Sequence, residues 1–281
     1  MKGLLNDFEK TKDFLICIDS DGCVLDTMDV KHMRCFGPCL VHEWGLHEYR
    51  DDIIRLWRKV NLLSSTRGIN RFKALAKVLA EINENYMHVE GLDEYIYWVQ
   101  TTKELSDQSV KEAFERTGGV CIGKAAEWSN LVNQSIAMVS DNRKQPFDGA
   151  KEALELASEH ADVVIVSSAN EDALLREWKA QEIFHYAGLF MSQEAGSKRK
   201  CLESLLEKGY APDHVMMVGD APADLQASAS AGVLFYPVLA YQERESWDEF
   251  QEAFERFLEG SYAGEFQEAK IKSFEDNLKV I

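Results

Sequence analysis

The chain has 281 residues, 46% of them apolar, which is enough to bury a substantial core, and a formal net charge of −17. That charge excludes binding driven by clustered Lys and Arg, so neither nucleic acid nor an anionic membrane is an expected partner. The six cysteines, at 17, 23, 35, 39, 121 and 201, form no dense framework and read as reduced thiols.

The chain begins Met1, Lys2, Gly3 without a signal-peptide core, and no apolar run approaches a membrane span, so a cytoplasmic protein is expected. The first element is the apolar run 14–18, which ends in Asp19, Ser20, Asp21 and Gly22. A buried strand there delivers two carboxylates, one residue apart, to the mouth of a sheet. Ligands and substrates of parallel sheets lie at that end of the strands.

More than 140 residues separate this run from the next strand-like one, too many for a single crossover, so an inserted domain is expected over residues 27–142. Apolar spacings of three and four predict helices at 51–63, 71–82, 92–100, 109–116 and 124–139, an all-helical cap. Within it, the turn from Ser64 to Arg71 carries two cations, and Arg67 and Arg71 could clamp an anionic substrate; the alternative is an exposed turn at a helix start. His32, Cys35, Cys39 and His42 invite a zinc reading, but Gly37 and Pro38 should interrupt their helix and no Cys-x-x-Cys pair is present, so packing is expected. Trp44, Trp57 and Trp98 read as core of the same domain.

The remainder alternates helix and strand. Helices are expected at 149–159, 171–180 and 199–208, the last stopped by Gly209, and strands at 163–166, 215–218 and 233–236. With the first run, this predicts an α/β fold with a doubly wound parallel sheet, its core formed by residues 1–26 and 143–281. The strand at 163–166 ends in Ser167, Ser168, Ala169 and Asn170, and that at 215–218 in Gly219, Asp220 and, in the following turn, Asp224. Gly196, Ser197, Lys198, Arg199 and Lys200 open the intervening helix. The stripe Trp247, Phe250, Phe254 and Phe257 in the tail 243–258 reads as packing.

Asp19, Asp21, Asp220 and Asp224 on neighbouring strand ends concentrate negative charge that a hard divalent cation relieves. Oxygen-only donors favour Mg²⁺, and Lys198 in the same mouth would bind phosphoryl oxygens.

The ordered set resembles the haloacid dehalogenase superfamily. Asp19, Asp21, Gly22 and Asp26 match its first motif, Ser167 the second, Lys198 the third, and Gly219, Asp220 and Asp224 the fourth, with Pro146 to Gly149 resembling the re-entry turn into a Rossmann-like core. Lys200 lies two positions on, but counting back from Leu202 and Leu205 favours Lys198 as the third-motif lysine. The resemblance implies that Asp19 attacks phosphorus to form an aspartyl-phosphate, while Asp21 protonates the leaving oxygen and then activates water. It also implies Mg²⁺ on the Asp19 carboxylate, the Asp21 carbonyl, Asp220 and Asp224, with Ser167, Ser168 and Lys198 contacting the phosphoryl group. Asp21 argues against carbon–halogen and phosphonate cleavage. The expected protein is therefore a Mg²⁺-dependent phosphatase of a small phosphorylated metabolite, monomeric or a small homo-oligomer. The alternatives are a phosphomutase of the beta-phosphoglucomutase type and a non-catalytic metabolite-binding or regulatory protein.

Overall fold

Leu15, Ile16, Cys17 and Ile18 are buried to within 1% of full enclosure, and a strand buried on both faces must sit in the middle of a covered sheet. In the computed structural model, which describes residues 5–280, β1 (Phe14–Ile18) is the central strand of five. The expectation drawn from Met1, Lys2 and Gly3 lies outside the described residues. The others are β2 (Ala161–Val166), β3 (Leu189–Met191), β4 (Val215–Gly219) and β5 (Leu234–Pro237), all parallel, in the order β3-β2-β1-β4-β5.

Side chains alternate across this sheet and fill two cores. Ile16, Ile18, Val163, Ile165, Met216 and Val218 face one cluster, which includes Trp178, Trp247 and Phe254. Leu15, Cys17, Val164, Val166, Val215 and Met217 face the other, with Leu202, Leu205 and Phe274. Helices thus cover both faces, and the fold is a Rossmann-like α/β core with a helical insert.

Sequence patterning anticipates four of the five strands. β3 escapes it because three residues between Gly188 and Ser192 are too few to show a period of two, and only tertiary pairing with Val164, Ile165 and Val166 makes them a strand. Patterning likewise does not anticipate helices Pro222–Ala231 and Glu265–Val280, and the tail expected as one helix divides at Glu249 into Glu243–Asp248 and Phe250–Leu258. The stripe survives the division, for Trp247, Phe250, Phe254 and Phe257 are all buried. The last segments also close the edge of the sheet. Tyr262 Oη donates to the outward carbonyl of Phe235 at 2.7 Å, and the Phe235 amide donates to Gln267 Oε1 at 2.8 Å, so this edge is not left open to another strand.

At the opposite end of the strands from the acidic motifs, Asp162 ties down the chain leading into β1. It accepts from the Thr11 amide at 2.9 Å, the Lys12 amide at 3.0 Å, Tyr210 Oη at 2.5 Å and Thr11 Oγ1. Burial pushes this carboxyl up, but the hydrogen bonds from Thr11, Tyr210 and Lys12 outweigh burial and hold it below its usual value. A depressed carboxyl stabilises the fold above its unfolded pKa and loses that contribution as the pH falls through the folded one. We expect Asp162→Ala to cost about 3 kcal/mol at neutral pH, since it orphans several donors at once. In urea unfolding the deficit should shrink below a pH of about 4, and a pH-independent deficit would refute the assignment.

The chain divides into two compact units, one comprising the residues up to Thr27 and from Asp141, the other Met28–Ser140. The second is helical, with Arg50–Asn61, Arg71–Asn85, Leu92–Thr101, Asp107–Thr117 and Val120–Met138 around a core of Trp57, Trp128, Phe72, Tyr95 and Trp98. Trp44 is buried with them. Gly37 and Pro38 do not break the first helix as expected. Residues 28–43 run continuously through a π turn, His32–Phe36, in which the Gly37 amide donates to the His32 carbonyl, so the missing Pro38 amide is absorbed by a local change of pitch. His32 Nδ1 there accepts from Trp57 Nε1 at 3.0 Å, and Cys39 Sγ lies 3.4 Å from Ser135 Oγ. Among the described residues, no helix is long and apolar enough to cross a membrane.

Candidate active site

The chain reverses direction across the sheet at β1, with β2 and β3 on one side and β4 and β5 on the other, and a crevice forms beyond the strand ends at such a switch point. Asp19 follows β1 directly, its amide donating to the Val218 carbonyl at 2.9 Å, so its backbone is still held by the β-ladder. Gly22 then takes φ of 80°, a left-handed turn that a side chain would resist. The turn closes on Ser20, whose carbonyl accepts from the amides of Val24 at 3.0 Å and Leu25 at 2.9 Å. The Asp26 amide donates to Gln145 at 2.8 Å, and Asp26 itself is exposed.

Asp19, Asp220 and Asp224 are all buried, and each offers an oxygen within 4.8 Å of the others. Lys198, the first residue of helix Lys198–Leu206, reaches between them. Its Nζ lies 2.5 Å from Asp19 Oδ2 and 2.5 Å from Asp224 Oδ1. Asp19 Oδ1 accepts from the Ser20 amide at 2.7 Å, and Asp224 Oδ2 from the Ala221 amide at 3.0 Å. Burial drives the Asp19 carboxyl up to about 7, with the Asp224 charge pushing the same way and Lys198 opposing. Asp224 is raised likewise, chiefly by burial and partly by Asp220. Burial alone would lower Lys198, but the charges of Asp19 and Asp224 prevail and keep it protonated. One ammonium among three buried carboxylates leaves excess negative charge on hard oxygen donors, the donor chemistry that suits Mg²⁺.

Gly219 is required by this cluster. A Cβ built on it would sit 2.4 Å from both Cγ and Oδ2 of Asp224, whose carboxylate is buried and already bonded to Ala221 and Lys198. We expect Gly219→Ala to displace Asp224, to lower stability by about 1–3 kcal/mol through overpacking, and to weaken divalent-cation binding measured by calorimetry. Wild-type cation affinity in this variant would show that Asp224 does not contribute to any cation site here.

Asp21, two residues after Asp19, is partly exposed, and its Oδ1 accepts from Thr27 Oγ1 at 2.6 Å. Ser167, at the end of β2, is buried; its amide donates to the Met191 carbonyl at 2.9 Å and its hydroxyl accepts from the Ala169 amide at 3.1 Å. Ser168 is exposed, and Lys200 is exposed with its side chain over Gly196. The remaining two expected contacts belong to the helical unit. Arg67 is buried and donates to the Leu62 carbonyl at 3.4 Å. Arg71 donates to Ser129 Oγ at 3.0 Å and Asn133 Oδ1 at 2.8 Å, lies 3.9 Å from Asp107 and covers the Phe36 ring. Both guanidiniums thus bind groups of their own unit.

Sequence reasoning missed three supports of the acidic loop. Thr27 stands directly after the motif and its hydroxyl was a readable signal. Trp178 Nε1 donates to Ser20 Oγ at 2.9 Å and Trp247 Nε1 to the Cys23 carbonyl at 3.1 Å, and neither pairing leaves any local trace in the sequence.

A family model described as haloacid dehalogenase-like hydrolase matches residues 69–238, a span that contains Ser167, Lys198, Asp220 and Asp224 and begins beyond Asp19 and Asp21. Among solved structures, the chain is similar to one assigned as a haloacid dehalogenase-like hydrolase from Bacteroides fragilis, with 14% identity, a TM-score of 0.54, and coverage of 84% of this chain and 93% of that one. A haloacid dehalogenase-like family hydrolase from Streptococcus pneumoniae gives 15% identity and a TM-score of 0.50, covering 85% of this chain and 90% of that one. A protein from Lactobacillus delbrueckii subsp. bulgaricus, provisionally named a phosphoglycolate phosphatase, gives 13% identity and a TM-score of 0.50, covering 83% and 92%. At these identities the likeness is one of fold. No curated protein matches the chain.

Proposed function

The chain belongs to the haloacid dehalogenase-like hydrolase family, and from that premise we propose that it is a Mg²⁺-dependent phosphatase of a small phosphorylated metabolite. The observation that carries this reading is the buried cluster of Asp19, Asp220 and Asp224, in which Lys198 bridges Asp19 and Asp224, with a further carboxylate two residues after Asp19 held by Thr27. Asp19, Asp220, Asp224 and the Asp21 carbonyl would hold the ion, which when bound neutralises phosphoryl oxygens and lowers the repulsion met by an anionic nucleophile.

The chain's own groups would then do the following. An Asp19 carboxylate oxygen attacks phosphorus, and the bond from phosphorus to the substrate oxygen breaks with its electron pair going to that oxygen. Asp21 in its protonated form supplies the proton that makes the leaving group an alcohol. Asp21, now a carboxylate, takes a proton from water as the water oxygen attacks the aspartyl-phosphate, releasing phosphate and restoring Asp19. Ser167 and Lys198 would donate to phosphoryl oxygens and hold them in line, and Lys198 would also steady the Asp19 carboxylate. Partial exposure of Asp21 suits a group that must meet the leaving oxygen and then water.

We expect phosphate release from p-nitrophenyl phosphate and from a panel of phosphorylated sugars and small acids when Mg²⁺ is present, and loss of release with a chelator. Isomer formation without free phosphate would replace the hydrolase reading by the mutase one. Binding without turnover across the panel would leave a non-catalytic protein.

A further inference from the structure

Ser20 stands between the two carboxylates of the motif and is fully buried, yet a serine hydroxyl is an expensive group to bury unless something uses it. Here it is used. The hydroxyl accepts from Trp178 Nε1 at 2.9 Å, the amide donates to Asp19 Oδ1 at 2.7 Å, and the carbonyl accepts the two loop amides of Val24 and Leu25. One residue therefore links the nucleophile, the return of the turn and a helix 158 residues away in sequence.

That helix, Glu171–Ala180, is itself braced. Trp178 is fully buried and meets the edge of Phe190 at 5.3 Å between ring centroids. Its neighbour Glu177 is fully buried, with Oε1 3.3 Å from Nζ of Lys144, which is equally enclosed. Gln181 Nε2 donates to the Asp141 carbonyl at 2.9 Å. The segment 141–147 in turn backs the other side of the acidic loop, where Gln145 accepts from the Asp26 amide at 2.8 Å and the Phe147 amide donates to Val24 at 2.9 Å. Loop, segment and helix close a ring, with the indole N–H of Trp178 as the link that reaches the residue between the two acids.

We propose that Trp178 is a positioning residue for the Asp19 and Asp21 pair, acting through Ser20; this deepens the phosphatase reading and rests on it for its kinetic consequence. The Ser20 amide and hydroxyl belong to one residue, so fixing the hydroxyl fixes the direction of the amide that holds Asp19 Oδ1. Misplacing a nucleophile by a fraction of an ångström impairs the reacting geometry far more than substrate binding.

The test uses Trp178→Phe, which keeps an aromatic ring against Phe190 and removes the donor, Ser20→Ala, which removes the acceptor, and the double variant. We expect kcat on p-nitrophenyl phosphate with Mg²⁺ to fall about tenfold in each single variant with KM within about twofold, and the double variant to fall no further, because both remove the same link. Independently of activity, amide exchange of Val24 and Leu25 should quicken about tenfold in both single variants while that of the β1 and β4 interior stays at the wild-type rate. Unchanged exchange at Val24 and Leu25 would overturn the proposal, as would multiplicative losses in the double variant or a uniform rise across the sheet, which marks general loosening. If the wild-type chain releases no phosphate, the phosphatase reading falls, and the positioning link then stands or falls on the exchange pattern.

Discussion

We expect Asp19→Asn to leave a folded protein that releases phosphate at least about a thousandfold more slowly than the wild type, because an amide cannot form the acyl phosphate of the proposed first step. The substitution is nearly isosteric, and the carbonyl oxygen of Asn can still accept from the Ser20 amide as Asp19 Oδ1 does. The amide NH2 then stands where Asp19 Oδ2 accepts from Lys198, so that hydrogen bond is lost, and thermal unfolding in the absence of cation should show this loss set against the gain from removing a buried charge. Burial raises the Asp19 carboxyl to about 7, so keeping it ionised costs the folded state something as the pH climbs from the ordinary carboxylate value towards 7. Removing the charge removes that cost. The same shift makes protons compete with cations at this site, so divalent-cation affinity should rise as the pH rises through about 7 in the wild type and lose most of that dependence in Asp19→Asn. Calorimetric titration at several pH values reads this out. Activity in Asp19→Asn equal to the wild type would remove Asp19 as the nucleophile, whatever the titrations showed.

Lys198→Met should have the largest effect on stability of any single change at the site. Its ammonium is the partner of two buried carboxylates at once, and its own side chain is only 9% exposed. Removing it strands Asp19 and Asp224, a change that typically costs about 3–5 kcal/mol when one member of a buried ion pair is deleted. The carboxylates will respond by holding protons, so the deficit should grow as the pH rises through about 7 and shrink below it, as protonation removes the stranded charge of Asp19. Mg²⁺ should recover part of the loss, because a cation that binds only the folded state supplies countercharge to the same oxygens. Turnover should still fall by about a hundredfold, since in the proposed mechanism a phosphoryl-binding charge would be absent from the transition state. Thermal unfolding with Mg²⁺ and with chelator measures the first effect and steady-state kinetics the second. A variant as stable as the wild type without cation would show that Lys198 does not balance these acids.

Much of the framework can be read from neighbours a few residues apart. The run at β1 ends in two acids and a glycine, β4 ends in Gly219 and Asp220, and a serine follows β2. Each of these statements depends only on local alternation of apolar residues and on the residue types that stop a strand. Where local rules failed, a longer-range contact had intervened. Leu189–Met191 is a strand because it pairs with β2. Gly37 and Pro38 stay helical because one wider turn accommodates them and the packing of His32 and Phe36 against Trp57 holds that turn in place. Arg67 and Arg71 read as an anion clamp or as an exposed turn at a helix start, yet their helical unit supplies the Leu62 carbonyl and the Ser129 and Asn133 side chains to bind them.

The sequence by itself therefore determined most of the elements, four of the five strands in their order along the chain, and the identity of the acids and the lysine near their ends, because these follow from short-range periodicity and turn chemistry. Only the tertiary structure decided that Lys198 lies between Asp19, 179 positions away, and Asp224, that Gly219 must leave room for the Asp224 carboxylate, and that Trp178 reaches Ser20. The strand order β3-β2-β1-β4-β5 brings those residues together, and the order is set by which apolar faces bury best against one another across the whole unit, a quantity that no local spacing encodes.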